Sequence, residues 1–242
     1  MSRRARLLLL AAAGLVVAGF FAAACLRLPA FGAAVHPYGE RAVAAALGQR
    51  TANTVSSVNF DQRAFDTLGE ESILYASVLS AVLLLRLARD ERKHEPRPAP
   101  VLPSTRLFGA VLLPVTLLTG GYVVAHGQLS PGGGFQGGVV LASGLHLAYV
   151  AADYRALGRV RPLAVLDVAD ALAAGAFSVL GLVGLVAGAA FLQNTLPLGT
   201  FNTLASGGLV PVVNAVVGVE VASGVIVLLA QFLDQAVEVV ER

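Results

Sequence analysis

The sequence predicts an all-α, polytopic membrane protein with about six transmembrane helices. Hydrophobic residues make up 56% of its 242 residues, charged residues make up 13%, and the mean hydropathy is +0.75. A soluble domain carries roughly 25% charged residues. Six apolar segments come close to, or exceed, the roughly 20 residues that cross a bilayer. They are residues 7–28, 67–87, 105–125, 132–152, 163–192 and 211–232.

The distribution of basic residues predicts the orientation of these segments. Counted across six alternating crossings, 13 of the 17 Lys and Arg residues fall on the side of the amino terminus. Loops on the cytoplasmic side of a membrane carry an excess of Lys and Arg. We therefore expect both termini to be cytoplasmic and the loop between the third and fourth segments to lie on the outer side.

The first third of the chain predicts a two-helix N-terminal module, residues 1–88. Its first apolar segment is longer than the roughly 7 to 15 residues of a signal-peptide core, so we expect a membrane helix there. Residues 41–49 are moderately apolar and predict a surface helix or a re-entrant segment. Residues 89–104, rich in proline and charge, predict a cytoplasmic linker to a four-helix domain, residues 105–242.

An acidic stretch leads into the second apolar segment. Asp61, Asp66, Glu70 and Glu71 lie here within a few residues of one another. Thr67 with Glu70 fits a capping box, which alone would account for Glu70. The alternative is that these acids form an acidic entrance to an ion path on the outer side.

A glycine-rich break separates the third and fourth segments. It reads His126-Gly-Gln-Leu-Ser-Pro-Gly-Gly-Gly-Phe-Gln-Gly-Gly138. Glycine is used where the backbone bends or approaches another backbone closely. Ser130 and Pro131 predict the start of the next helix, as its N-cap and first residue. The motif residues of this break are His126, Pro131, Gly132, Gly133, Gly134, Phe135, Gln136, Gly137 and Gly138.

The fifth segment and the loop that follows it have sequence features typical of close packing. Gly184-Leu-Val-Ala-Gly188 fits the small-residue pattern of close helix contacts. The loop at residues 193–210 carries no charge, and we expect it to fold back against the membrane or pack on a neighbour.

Ionisable residues inside the apolar segments are the candidates for ion or proton handling. Glu220 lies roughly 13 Å into the last segment and Asp170 about 10 Å into the fifth, depths at which a charge needs a partner. We expect Glu220 to be either a group that relays protons or cations, or a protonated acid that forms a hydrogen bond between helices. Asp170 is a relay candidate or an interfacial acid at a helix start. His146 and His126 are proton-relay candidates, or hydrogen-bonded packing residues.

Other function classes lack a signal in this sequence. Its lone Cys25 and the spacing of its histidines predict no metal site. We find no nucleophile arrangement and no nucleic-acid patch, and the basic loops are explained by topology. We therefore expect no enzymatic activity, no cofactor and no nucleic-acid partner.

At His126 to Gly138 the sequence resembles the B subunit of the multisubunit Mrp-type sodium/proton antiporters, whose pattern is close to H-x-x-x-x-P-G-G-G-F-Q-G-G. The likeness extends from about residue 105 to the carboxyl terminus. Separately, Asp61-Gln-Arg-Ala-Phe-Asp66-Thr-Leu-Gly-Glu70 resembles the C-terminal part of the A subunit, typically D-F-R-x-x-D-T-L-G-E, with Gln62 in place of its first Phe. Related membrane-bound hydrogenases carry this piece as a separate small subunit.

The resemblance implies a multi-pass subunit in the plasma membrane of a prokaryote, assembled with other subunits into a complex that exchanges Na⁺ for protons. Larger subunits would then hold the principal pumping helices. Our candidates for the ion or proton path are Asp66, Glu70, Asp170, Glu220 and His146. Two alternatives stay open, namely an ion-translocating subunit of a redox-driven complex and a scaffold that conducts nothing.

Overall fold

A computed structural model of the chain describes residues 3–28, 32, 36–85, 101–152 and 163–234. Within these residues the backbone forms helices and no strand, which confirms the all-α prediction. The helices are α1 (Arg3–Leu26), α2 (Pro37–Gly48), α3 (Thr54–Ser57), a π-helical turn (Val58–Gln62), α4 (Ala64–Leu84), α5 (Pro103–Ala125), α6 (Gly134–Ala152), α7 (Leu163–Val186) and α8 (Leu209–Asp234).

Five helices of the described residues are long and apolar enough to cross a membrane. They are Arg3–Leu26, Ala64–Leu84, Pro103–Ala125, Val165–Val186 and Leu209–Phe232. The remaining predicted segment is helix α6, which has 19 residues and is not among the five. The polytopic architecture is confirmed, while the predicted orientation of the termini stays a prediction.

The chain divides into two compact units, Met1–Glu40 and Arg41–Arg242. In the first unit, α1 buries none of its residues. In the second unit, α8 is the central helix, because α4, α5, α6 and α7 all pack against it. Its core side chains, such as Val213, Val217 and Val221, pack with Phe60 and Phe177.

Helix α4 belongs to the predicted N-terminal module, yet it packs against α7 and α8 of the predicted C-terminal domain. Most of the predicted linker lies outside the described residues, because the structure does not describe residues 86–100. The division at residues 89–104 therefore stays a prediction. The moderately apolar stretch at 41–49 lies mostly in α2, which at 12 residues is too short to span a bilayer.

The fifth apolar segment ends earlier than its composition predicts. We expected it to extend to residue 192, but α7 ends at Val186. The chain then turns at Gly188, whose φ is 77°, and the N–H of Leu192 donates to the carbonyl of Gly181 at 3.1 Å. An added Cβ on Gly184 would lie 2.4 Å from the carbonyl oxygen of Ala190. In the predicted Gly184–Gly188 packing motif, Gly184 therefore packs against the loop that follows α7 and not against a neighbouring helix.

The uncharged loop at residues 193–210 packs on the rest of the second unit, as expected. Asn194 closes it by donating from Nδ2 to the carbonyl of Gly207 at 3.0 Å and by accepting from the N–H of Leu209 at 2.8 Å. Gln128 donates from Nε2 to the carbonyl of Leu204 at 2.8 Å, and the Arg50 guanidinium donates to the carbonyl of Gly199. The loop therefore covers the start of α8 and the glycine-rich break.

Candidate functional site

Three buried carboxyl groups from three different helices come together in the second unit. Glu71 of α4 is 1% exposed, Asp170 of α7 is 6% exposed and Glu220 of α8 is 0% exposed. The side chains of Glu71 and Glu220 lie within hydrogen-bonding reach of each other, and both Glu71 and Glu220 interact electrostatically with Asp170. We call Glu71, Asp170 and Glu220 the acidic cluster.

The acidic cluster has no hydrogen-bond donor among the described residues. Both carboxyl oxygens of Glu71, both of Glu220 and Oδ1 of Asp170 are buried without a hydrogen-bond partner. Two ionised carboxylates are both acceptors, so Glu71 and Glu220 bond to each other only when one of them carries a proton. A buried carboxylate is costly unless it is protonated or paired. The arrangement therefore calls for a proton or an external cation.

The helix surfaces around the cluster bring the acids close. Gly224 lies one turn after Glu220 on α8, and an added Cβ there would be 3.1 Å from Oδ1 of Asp170 and 3.3 Å from Val78 of α4. Because glycine has no side chain, α4, α7 and α8 approach each other at this level. Glu71 is the eighth residue of α4 and Glu220 the twelfth of α8, roughly 11 Å and 17 Å along their helices.

The structure places the two other acidic candidates on the surface. Asp66 is exposed and forms an ion pair with Arg63, whose Nε donates to Oδ2 of Asp66 at 2.6 Å. Glu70 is exposed and interacts electrostatically with the buried Glu71 beside it. Of the predicted acids, the structure brings Asp170 and Glu220 together and leaves Asp66 and Glu70 at the start of α4.

The capping box predicted at Thr67 and Glu70 is wrong. Helix α4 begins at Ala64, three residues before Thr67, so Thr67 lies inside the first turn. Its hydroxyl donates to the carbonyl of Asn59 in the π-helical turn at 2.6 Å. Thr67 therefore ties the start of α4 back to the turn that precedes it, and Glu70 has no capping role.

The π-helical turn Val58–Gln62 holds Asp61 at the start of α4, before the spanning segment. Asp61 is half-buried, and burial raises the pKa of its carboxyl group. Gln62 donates from Nε2 to the carbonyl of Ala42 at 3.0 Å and to the hydroxyl of Ser57 at 3.1 Å. Short π-helical segments occur frequently at functional sites. This π-helical turn leads directly into α4, and it holds Asp61 in a position where its side chain is only partly exposed to solvent.

The two candidate histidines have different surroundings. His146 is half-buried on α6, and its Nε2 has no hydrogen-bond partner among the described residues. His126 follows the last residue of α5, where its ring stacks on Tyr122 with a centroid distance of 3.9 Å. Nδ1 of His126 lies 3.1 Å from the carbonyl oxygen of Tyr122. His126 thus contributes to the end of α5, while His146 stays a candidate for proton transfer.

Two asparagines from distant parts of the chain form hydrogen bonds with the backbone of the glycine-rich break. Asn214 of α8 accepts from the N–H of Gly134 at 2.8 Å and donates to the hydroxyl of Ser56 at 2.8 Å. Asn53 donates from Nδ2 to the carbonyls of Gly127 and Ser130, both at 2.8 Å. These bonds satisfy backbone groups that a helix break would otherwise leave unpaired in an apolar setting.

The helix start predicted at Ser130 and Pro131 is wrong. Helix α6 begins at Gly134, and Asn214 of α8 supplies the capping oxygen from outside the segment. The hydroxyl of Ser130 instead donates to the carbonyl of His126 at 3.4 Å. Pro131 is exposed in the turn, where Gly132 and Gly133 have φ values of 119° and 139° that other residues rarely adopt.

The glycines of the break let α6 approach its neighbours. An added Cβ on Gly137 would lie 2.4 Å from Val124 of α5, and one on Gly138 would lie 2.7 Å from Val221 of α8. Phe135 packs against the hydrophobic core, while Gln136 is exposed. These motif residues therefore shape helix packing, and only His126 among them is ionisable.

Sequence reasoning did not single out Glu71, Asn53 or Asn214. Glu71 was named only as one acid of the stretch before the second apolar segment, where a local capping rule applied to its neighbour Glu70. Asn214 had a signal, since it is a polar residue near the start of an otherwise apolar segment. Asn53 had none, because its partners are more than 70 residues away in sequence.

Comparison with known proteins gives one family, one relative in sequence and several similar structures. Residues 104–227 match the family described as a domain related to the MnhB subunit of Na⁺/H⁺ antiporter. An uncharacterized protein of Methanocaldococcus jannaschii is 29% identical over 197 residues, which cover 71% of this chain and 73% of that protein.

Two solved structures share the fold over nearly the whole chain. One is a chain of the membrane-bound sulfane sulfur reductase, an archaeal respiratory membrane complex, with a TM-score of 0.72 and 26% identity over 93% of this chain and 97% of that one. The other is a chain of the Mrp complex from Dietzia sp. DQ12-45-1b, with a TM-score of 0.69 and 25% identity over 98% of this chain and 27% of that one. The family match covers more than half of the sequence, so this multi-pass membrane chain belongs to the family of domains related to the MnhB subunit of Na⁺/H⁺ antiporters.

Proposed function

We propose that the chain is a membrane subunit of a multisubunit cation/proton antiporter and that its acidic cluster forms part of the path for protons or Na⁺. The family membership and the likeness to chains of two membrane complexes support a subunit that works together with others. The observation that carries the proposal is that Glu71, Asp170 and Glu220 meet in the interior, where the described residues offer their buried oxygens no hydrogen-bond donor.

The chemistry of the cluster suits transport better than a fixed structural role. A permanent structural acid is usually paired with a base or fully hydrogen-bonded, because an unpaired one costs several kcal/mol or stays protonated. Adjacent carboxyl groups disfavour ionising together, so in this proposal the cluster holds a proton when no cation is bound and releases it when a cation binds. Transport in this proposal proceeds by changes of protonation and hydration, with no covalent step.

The exposed acids extend the same path in this proposal. Asp66 and Glu70 lie in the first two turns of α4, where they form an acidic entrance on the predicted outer side. His146 is a proton-transfer group of the same path, with its partner in another subunit. Other subunits of the complex and the lipid bilayer are the partners.

The decisive experiment measures Na⁺-dependent proton flux in proteoliposomes that contain the assembled complex. We compare Glu71→Gln, Asp170→Asn and Glu220→Gln with the wild type, because each change removes the charge and keeps the size of the side chain. Glu40→Gln, an exposed acid of α2, is the control. We expect each cluster variant to lose at least about tenfold in flux and the control to keep it.

Assembly is checked in every variant by the subunit composition of the purified complex. Normal flux in all three cluster variants, with full assembly, would contradict a path through these acids. That result would favour the alternative in which the chain is a scaffold that joins larger subunits.

A second candidate function is an ion-translocating subunit of a redox-driven complex. The likeness to a chain of the sulfane sulfur reductase favours it, since that likeness covers 97% of the other chain. The two functions differ in what drives the flux. Ion movement that requires a reductant and an electron acceptor supports the redox complex, while movement driven by an imposed Na⁺ gradient alone supports the antiporter.

A further inference from the structure

Thr67 and Glu71 lie on the same buried face of α4. The buried residues of this helix are Ala64, Thr67, Glu71 and Val78. Because Thr67 and Glu71 are four residues apart, they lie one turn apart on that face. Glu70 precedes Glu71 by one residue, which is about 100° around the helix axis, and it is exposed. A rotation of α4 by one residue would therefore exchange Glu70 and Glu71 at the acidic cluster.

The hydroxyl of Thr67 connects this buried face to the π-helical turn that precedes α4. It donates to the carbonyl of Asn59 at 2.6 Å, and Thr67 is buried. In a regular α-helix that carbonyl would accept from the N–H of Arg63, but this N–H donates to the carbonyl of Val58 at 2.8 Å. A buried hydroxyl that lost its acceptor would be left unsatisfied, which is costly. The bond therefore favours one orientation of α4 relative to the turn.

The junction between the π-helical turn and α4 is not helical. Arg63 joins the two with a φ of −136° and a ψ of 35°, and its side chain does not cap α4. A non-helical residue interrupts the regular course of the backbone from the turn into the helix. Side-chain bonds that cross this junction, such as the one from Thr67 to Asn59, therefore contribute to the rotation of α4.

We propose that Thr67 is a positioning residue for the acidic cluster. Its hydroxyl bond holds α4 at the rotation at which Glu71, and not Glu70, points to the other two acids. Thr67 acts through the backbone, because α4 is one continuous α-helix and carries a rotation of its first turn on to the turns that follow. The effect of Thr67 on the orientation of Glu71 is independent of the proposed function, whereas its effect on flux rests on that function.

The test compares two cysteine pairs that report the rotation of α4 and leave all three acids of the cluster in place. Val78 lies on the buried face, and an added Cβ on Gly224 of α8 would be 3.3 Å from its side chain. The neighbouring Ser77 is exposed. Val78→Cys with Gly224→Cys should therefore form a disulfide readily, while Ser77→Cys with Gly224→Cys should not. Both pairs share the change at Gly224, so any effect of that change is common to them.

Disulfide formation is measured in the assembled complex, in a Cys25→Ser background, with iodine as the oxidant and mass spectrometry of this chain as the readout. While Thr67 is present, we expect the pair at Val78 to oxidise at least about tenfold faster than the pair at Ser77. Thr67→Val and Thr67→Ala remove the hydroxyl, and each is expected to lower this ratio of rates at least about fivefold. Thr67→Ser keeps the hydroxyl and is expected to preserve the ratio.

Thr116→Val is the matched control. The hydroxyl of Thr116 donates to the carbonyl of Leu112 at 2.7 Å on α5, so this change also removes a threonine hydroxyl bond, but away from α4. It is expected to leave the ratio unchanged. A wild-type ratio in Thr67→Val and Thr67→Ala would overturn the proposal, and so would equal rates for the two pairs while Thr67 is present. If one of the two hydroxyl-free variants does not assemble, the other decides.

The outcome is distinguishable from that of the proposed function, because disulfide formation is measured without transport. In the chain without introduced cysteines, Thr67→Val is expected to lower Na⁺-dependent proton flux at least about fivefold, and Thr67→Ser is expected to keep it. Normal flux in the acidic-cluster variants would contradict the ion path, while the disulfide ratio would still decide the role of Thr67. Conversely, lost flux in those variants with an unchanged disulfide ratio in the hydroxyl-free variants would contradict the role of Thr67 alone.

Discussion

Glu71 of α4 and Glu220 of α8 meet side by side in the protein interior, although 149 positions separate them in sequence. Each is buried, and the described residues provide neither of them with a hydrogen-bond donor. A single proton placed between them would satisfy one oxygen of each, and the carboxyl group of Asp170 lies nearby. The pair is therefore expected to act as one unit.

The first prediction concerns this pair. Glu71→Gln and Glu220→Gln are each expected to lower Na⁺-dependent proton flux at least about tenfold, and the double variant is expected to lose no more than the worse single variant. Residues that act as a unit show this strong non-additivity. The measurement is initial flux in proteoliposomes with equal amounts of assembled complex. Losses that multiply in the double variant would mean that the two acids work independently.

The second prediction concerns Asn214. Its side chain caps α6 and bonds Ser56, so Asn214→Ala leaves buried backbone and hydroxyl groups unpaired. We expect a loss of about 1 to 3 kcal/mol in the free energy of unfolding, the usual cost of an unsatisfied buried polar group. Thermal unfolding of the complex reports this change. Val212→Ala, at a more exposed position of the same helix, is the control and is expected to show a small effect.

Long apolar segments made the membrane helices predictable, because a run of about 20 apolar residues has few other stable arrangements. The end of α7 was not predictable in the same way. Its apolar composition continues to residue 192, while the backbone turns at Gly188 and returns onto Gly181 and Gly184. Composition does not distinguish a helix turn from a loop that packs tightly on its own helix.

The acidic cluster was partly predictable for a related reason. Asp170 and Glu220 lie deep in apolar segments, so their depth identified them as candidates. Glu70 and Glu71 are neighbours, and which of the two faces the interior depends on where α4 begins and how it rotates against α8. Helix α4 begins directly after a π-helical turn, and the sequence patterns of this stretch do not predict such a turn.

The third prediction concerns two glycines of similar chemistry and different surroundings. Gly138→Ala places a methyl group 2.7 Å from Val221 and 2.9 Å from the carbonyl of Gly218, so α6 and α8 must separate. We expect a loss of about 1 to 3 kcal/mol, as in other overpacked sites. Gly121→Ala on α5 meets nothing within 4 Å and is expected to be neutral or stabilising by up to about 1 kcal/mol.

The two glycine variants are compared by thermal unfolding and by the yield of assembled complex. Equal stability of Gly138→Ala and Gly121→Ala would mean that the described approach of α6 to α8 does not occur in the assembled protein. A destabilised Gly138→Ala beside an unchanged Gly121→Ala would support the interpretation of the glycine-rich break as a packing element.

The fourth prediction concerns Asp61 and pH. Burial raises the pKa of this carboxyl group above its unfolded value, so the folded state binds a proton more tightly than the unfolded state. Stability should therefore fall as the pH rises from below the unfolded pKa of 3.8 through the raised folded pKa, and stay lower above it. Asp61→Asn removes this charge, so it should unfold at a higher temperature than the wild type at pH 7.

Because Asp61 is only half-buried, the expected gain is small, about 1 °C in the unfolding temperature. Thermal unfolding of wild type and Asp61→Asn is compared at pH 7 and at the lowest pH at which the complex remains assembled. The difference should shrink as the pH falls, since the wild-type acid then becomes neutral as well. A difference that is constant with pH would show that the variant acts through the shape or hydrogen bonds of its amide, and a wild type that is the more stable at pH 7 would show that Asp61 has a cationic partner in the complex.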